Sequence, residues 1–257
     1  MQQAYRALRV VSEAQTIHFV LASAPDELML RELCTACASL NTEGSGGIKA
    51  VVLDFEAREN TPGTANAALS PDILKQAYTA VLTVEAPVLA VVRGRLSAAA
   101  STLVHGADLS LLAHDAVLLP GEMTEQSNDA VVGGGVFHGG NGHIDPRNAR
   151  QGDPEGYTGA QALRLRLINW SVPATEIHAE MERILDMLRG KSAVALRHTK
   201  ASMRLAARAT DLQEAPARLE SLKLVNEFYL AQVMQTTDAA EGLHAFLEKR
   251  KPEWKNR

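Results

Sequence analysis

The chain has 257 residues and a formal net charge of −4, with 46% hydrophobic and 4% aromatic residues. The charge balance argues against a nucleic-acid partner, and no apolar run approaches the roughly 20 residues of a membrane span. The start, MQQAYRALRVV, lacks the charged and apolar regions of a signal peptide, so a cytoplasmic location is expected. Length fits one large α/β domain or a core with an appendage.

Tyr5–Val11 and Thr16–Ala22 read as a strand hairpin with Ser12–Gln15 as its turn. Asp26 to Leu40 reads as a helix. Within it Leu30, Leu33, Cys34, Cys37 and Leu40 share one face. The C-x-x-C pair is therefore expected as buried helix cysteines, because a redox pair belongs at a helix start and a metal site needs two more ligands. No metal is expected. Ile48–Phe55 (IKAVVLDF) reads as a central buried strand, Glu56–Asn66 as a loop around Pro62-Gly63, and Ile73–Leu82 as an amphipathic helix stopped before Pro87.

The most informative stretch runs from Pro87 to Glu122. Val88–Val92 is an apolar, β-branched run typical of a strand buried on both faces. Gly94 ends it, Ser97 stands at a helix N-cap, and Ala98-Ala99-Ala100 begin the helix. Asp108 follows, then a second buried strand over Leu109–Leu112, a short run Ala116–Leu119, and a turn Pro120-Gly121-Glu122. The first amides of a helix have no partner inside it and carry the positive end of its dipole. Small side chains at such a turn let a ligand reach the backbone, as in an oxyanion hole. On pattern alone, tight helix–strand packing is the favoured reading of this turn.

After Glu122 lies a glycine-rich segment, Gly133, Gly134, Gly135, Gly139, Gly140 and Gly142, interleaved with His138 and His143. It reads as a long loop. The glycines follow no clear strand and carry no Lys-Ser/Thr, which argues against a nucleotide-binding loop. Beyond it, Ile177, Met181, Ile184, Leu185 and Leu188 make a helix with Gly190 as its cap, and from Lys191 onward the chain reads as helical.

These motifs resemble the crotonase, or enoyl-CoA hydratase/isomerase, superfamily. The family text is a strand PvIAaVnG, a Gly-Gly-Gly turn, a helix ending in Asp, and a strand running to Pro-Glu. This chain presents the strand, the turn, Asp108 and Glu122 at family spacing. A second match lies at Thr237-Asp238, Glu241-Gly242 and Ala245-Phe246-Leu247-Glu248-Lys249-Arg250-Lys251-Pro252. The resemblance implies an α/β fold, a crotonase-like ββα spiral core over residues 1–190 with a C-terminal helical trimerisation region over 191–257.

It also implies an acyl-CoA thioester substrate, no cofactor beyond the coenzyme A that the substrate carries, and a homotrimer or dimer of trimers. The oxyanion hole falls on the backbone N–H groups of Ala99 and, from Pro62-Gly63-Thr64-Ala65, of Thr64. Glu122 occupies the position of the family's second catalytic glutamate. Ala98 and Thr102 line the substrate, and Phe246 and Lys249 lie near the adenine and phosphates of a neighbouring subunit's CoA. Three departures matter. The family's Gly triplet is here Ala98-Ala99-Ala100, whose main-chain N–H groups remain while the added methyls narrow the approach. The partner glutamate of the hydratases falls at Thr102, which cannot act as a base at neutral pH. The longer CoA-contacting loop of relatives is replaced by the short Ala22-Ser23-Ala24-Pro25. A single-carboxylate, isomerase-like proton shuttle is therefore expected. The alternatives are a standard enoyl-CoA hydratase and a non-catalytic thioester-binding or assembly subunit.

Overall fold

Six strands form the main sheet of the computed structural model, which describes residues 5–41, 47–56, 69–119, 156–210 and 215–257. They are β1 (Arg9–Glu13), β2 (Thr16–Leu21), β3 (Ala50–Phe55), β4 (Val88–Val92), β5 (Leu109–Ala113) and, after two short strands described below, β8 (Trp170–Val172). Their spatial order is β1-β2-β3-β4-β5-β8. β1 runs antiparallel to β2 and every other pairing in this sheet is parallel. Every residue of β3, β4 and β5 is buried, as continuous apolar runs in a parallel sheet require.

The hairpin is shifted from the expected one. Its turn is only Ala14-Gln15, with φ of 43° and 65°. Two consecutive left-handed residues make the tight turn whose twist matches paired strands. Pairing therefore extends to Glu13 opposite Thr16, and residues 5–8 lie outside the strand. Those residues are held instead by Glu32, whose carboxylate accepts the amides of Arg6, Ala7 and Leu8 at 2.8–2.9 Å.

Helices α1 (Glu27–Leu40), α2 (Pro71–Thr83) and α3 (Ala98–Gly106) connect β2 through β5. Asp26 caps α1 by accepting the Met29 amide at 2.7 Å, and Pro71 sits in the first turn of α2, where its missing N–H costs nothing. Cys37 is buried on the core face of α1, as its spacing implied. Burial pushes its thiol up to about 12 and raises that of Cys34, so neither is poised as a thiolate.

β6 (Val117–Leu118) and β7 (Tyr157–Thr158) form a second, two-stranded antiparallel sheet. Thr158 and Gln161 then close a reciprocal cap on α4 (Gly159–Arg164). A side chain at Gly159 would place its Cβ 2.1 Å from the Ala113 carbonyl oxygen, so only glycine admits this approach to β5.

The remaining helices are α5 (Ile177–Arg189), α6 (Ala193–Thr210), α7 (Ala215–Phe228) running into a π turn at Tyr229–Val233, and α8 (Thr237–Leu247). Gly190 caps α5 as expected, but with a right-handed φ of −68°. The buried Asp238 carboxylate gathers the end of the chain: it accepts the amides of Lys255 and Asn256 and the Ser192 hydroxyl. Among the described residues, no helix is long and apolar enough to cross a membrane.

Candidate active site

The turn from β4 into α3 is built by hydrogen bonds to β6. Leu96 N–H donates to the Val117 carbonyl at 3.0 Å, and Val117 N–H donates to the Gly94 carbonyl at 3.2 Å. A parallel bridge joins Arg95 to Val117. One step further, the Leu119 amide donates to Ser101 Oγ on α3 at 3.0 Å. The strand leading to Glu122 is thus fastened to both the turn and the first turns of α3.

The N-terminus of α3 keeps two donors in hand. Ser97 caps the helix, accepting the Ala100 amide on its hydroxyl at 3.2 Å and the Ser101 amide on its carbonyl at 2.9 Å. The amides of Ala98 and Ala99 bond to no acceptor among the described residues. Ala99 is fully buried and Ala98 half-buried. A buried amide without an acceptor is costly and rare, which marks Ala99 N–H as a group that seeks an anionic or carbonyl oxygen. Thr102, one turn on, is buried and donates its hydroxyl to the Ala98 carbonyl at 3.0 Å.

Phe246 closes the last full turn of α8 at 81% exposure, and Lys249 follows it with a left-handed φ of 54°. Both stand at the surface of the C-terminal helices. Glu122, Thr64, His138, His143 and Gly133–Gly135 lie outside the described residues. Among the described residues, no group of three or more histidines, cysteines or acids can hold a metal ion.

Two buried ion pairs escaped the sequence reading. At the far end of α3, Asp108 Oδ2 lies 2.5 Å from Lys200 Nζ on α6 and also accepts the Val88 amide at 2.8 Å. Lys200 Nζ donates further to the Ala86 carbonyl at 3.0 Å. Burial pushes Lys200 down to about 8 and raises Asp108. This pair lies where β4 and β5 begin, away from the turn, so it supports the scaffold. The second pair, Asp54 with Arg93, lies at the end from which the turn departs. Its sequence signal was a carboxylate inside an otherwise apolar strand and an arginine directly after another.

The profile of the family described as enoyl-CoA hydratase/isomerase matches residues 42–257. The chain belongs to the enoyl-CoA hydratase/isomerase family. Solved structures with the same fold include an enoyl-CoA hydratase from Bacillus anthracis, at 19% identity and a TM-score of 0.73, covering 98% of this chain and 100% of that one. An enoyl-CoA hydratase subunit I structure from Geobacillus kaustophilus gives 21% identity and 0.74 over 98% and 99%. A methylmalonyl-CoA decarboxylase gives 19% and 0.63 over 98% and 99%. At these identities the likeness establishes the crotonase fold. In sequence, 61 residues are 43% identical to a cyclohexa-1,5-dienecarbonyl-CoA hydratase from Thauera aromatica. That match spans 24% of each chain, about a quarter of the relative's length. Membership of the enoyl-CoA hydratase/isomerase family makes this chain an enzyme by class, while its neighbours' names span more than one reaction.

Proposed function

We propose that this protein acts on an acyl-CoA thioester through an enolate, with Glu122 as a single carboxylate moving a proton between carbons. The observation that carries this reading is the pair of uncommitted amides at Ala98 and Ala99, on a turn bonded to the strand that leads to Glu122. The Ala99 N–H, with that of Thr64, holds the thioester oxygen. Removing a proton beside the carbonyl places negative charge on that oxygen, where the amides stabilise it. One such donor is worth about 100- to 1000-fold in rate. Glu122 takes the proton from one carbon and its carboxylic acid returns it to another, so the double bond moves and no atom is gained or lost. Thr102, at the position of the partner glutamate of the hydratases, supplies no base for activating water. Coenzyme A enters only as part of the substrate.

Standard hydration is the second reading, and the hydratase name of the Thauera aromatica relative favours it. The two are separated by incubating the protein with a 3-enoyl-CoA in deuterated water and following it by NMR. Deuterium at the α- and γ-carbons with migration of the double bond supports the shuttle. A 3-hydroxyacyl product from a 2-enoyl-CoA offered in a parallel incubation, with no such migration from the 3-enoyl-CoA, supports hydration. Binding of the 3-enoyl-CoA without any exchange would overturn the shuttle, and binding of a 2-enoyl-CoA without addition of water would overturn hydration.

A further inference from the structure

The β3–β4 ladder stops at Phe55 opposite Val92. The pairing of β4 with β5 ends at the same residue, Val92 opposite Leu112, although the chain must still enter the turn at Gly94 in a fixed direction. At this point the side chains take over. Asp54, the penultimate residue of β3, faces Val91 in register, and its carboxylate accepts a hydrogen bond from Arg93 Nη1. The two side chains are 9% and 23% exposed, so the contact is shielded from solvent. Glu56, the next acid along, is occupied at the surface by Arg9 at 2.9 Å. On its other side the turn is held by the Leu96–Val117 and Val117–Gly94 hydrogen bonds and by Leu119 on Ser101. The Gly94–Ser97 turn is therefore suspended between two anchors, one a charged pair and the other the edge of β6.

We infer that Asp54 and Arg93 form a positioning pair that fixes the strand end feeding the turn, and so sets where the Ala98 and Ala99 amides point. This rests on the thioester-binding reading given above. Arg93 stands where the family text PvIAaVnG carries asparagine. Oxyanion donors work only at about 2.7–3.1 Å from the developing charge, and a misplacement of about 1 Å can cost 100-fold. A shielded Arg–carboxylate contact resists such movement better than a solvated lysine would, because the guanidinium is planar and its donors are preorganised.

The test uses Asp54→Asn, Arg93→Lys, and the double variant Asp54→Asn/Arg93→Met, which leaves no lone buried charge. The probe is an aromatic α,β-unsaturated acyl-CoA, whose absorption moves to the red when its carbonyl is polarised. The unmodified protein should shift the band. The double variant should still bind the probe but lose most of the shift, and exchange of a 3-enoyl-CoA should fall about 10- to 100-fold with KM within about threefold. Arg93→Lys should recover part of both. A full red shift and full exchange in the double variant would overturn the inference. If the unmodified protein binds the probe without a shift, the thioester-binding reading fails by itself. The pair is then judged without ligand, by amide hydrogen exchange. Exchange at the bonded amides of Leu96, Ala100 and Ser101 should speed up in the double variant while Leu89–Val91 stay protected. Unchanged protection at the turn would overturn the inference.

Discussion

Lys200 Nζ lies 2.5 Å from Asp108 Oδ2, with the two side chains 1% and 0% exposed. This contact joins α6 to the junction of α3 and β5. It is a desolvated pair, and removing one partner strands the other charge in the core. Lys200→Met or Asp108→Asn alone should cost about 3–5 kcal/mol in urea unfolding, and Asp108→Asn/Lys200→Met together less than their sum. Additive losses would mean that the two groups are not coupled.

The same pair predicts a pH dependence. Native Lys200 releases its proton near 8, whereas the unfolded chain keeps it to its ordinary value of 10.5. Between these, the unfolded state binds more protons and stability rises with pH. Asp108 is raised above its ordinary 3.8, so just above that value the native state binds more protons and stability falls with pH. The stability difference between the unmodified protein and the double variant should therefore pass through a minimum in the neutral range. A maximum there, in unfolding series at acidic, neutral and alkaline pH, would contradict this account.

Glu122→Gln keeps the size of the side chain and removes its basicity. Proton exchange of a 3-enoyl-CoA should fall by about 100- to 10,000-fold, with thioester binding retained. Thr102→Ala should leave exchange within a few-fold, because the Thr102 hydroxyl is spent on the Ala98 carbonyl. Its cost should appear as about 1 kcal/mol of stability. Unchanged exchange in Glu122→Gln would move the chemistry to other groups, His138 and His143 first.

The C-terminal helices leave large apolar side chains in solvent: Leu222 at 65%, Leu243 at 55%, Phe246 at 81% and Leu247 at 75%. Side chains of this size left so open are what an interface covers. Light scattering should give a trimer or a hexamer. A clean monomer at micromolar concentration would remove that expectation.

Lys249 tests the placement of the CoA phosphates. Lys249→Glu should weaken acyl-CoA binding, and the loss should shrink as salt is added. Because Lys249 holds a φ of 54°, Lys249→Gly is the cleaner companion: it removes the charge without straining the backbone. Equal calorimetric affinities at low salt for all three proteins would place the phosphates elsewhere.

How far the sequence reaches is clearest around β4 and α3. Val88–Val92 is the strand that its apolar run implied, Ser97 is the cap, and β5 begins at Leu109 after Asp108, because run length, capping and small residues act within a few positions along the chain. The buried face of α1 followed from helical spacing for the same reason, whereas Glu122 was assigned by resemblance to the family alone and lies outside the described residues. The hairpin turn was set one stage higher, since only pairing with β2 shows that Ala14-Gln15 alone reverse the chain. The charged pairs belong wholly to the tertiary structure. Asp54 meets Arg93 across 39 residues, Lys200 meets Asp108 from another helix altogether, and no local pattern couples such positions. The order of strands in the sheet brings them together, and burial then makes each charge depend on the partner it finds there.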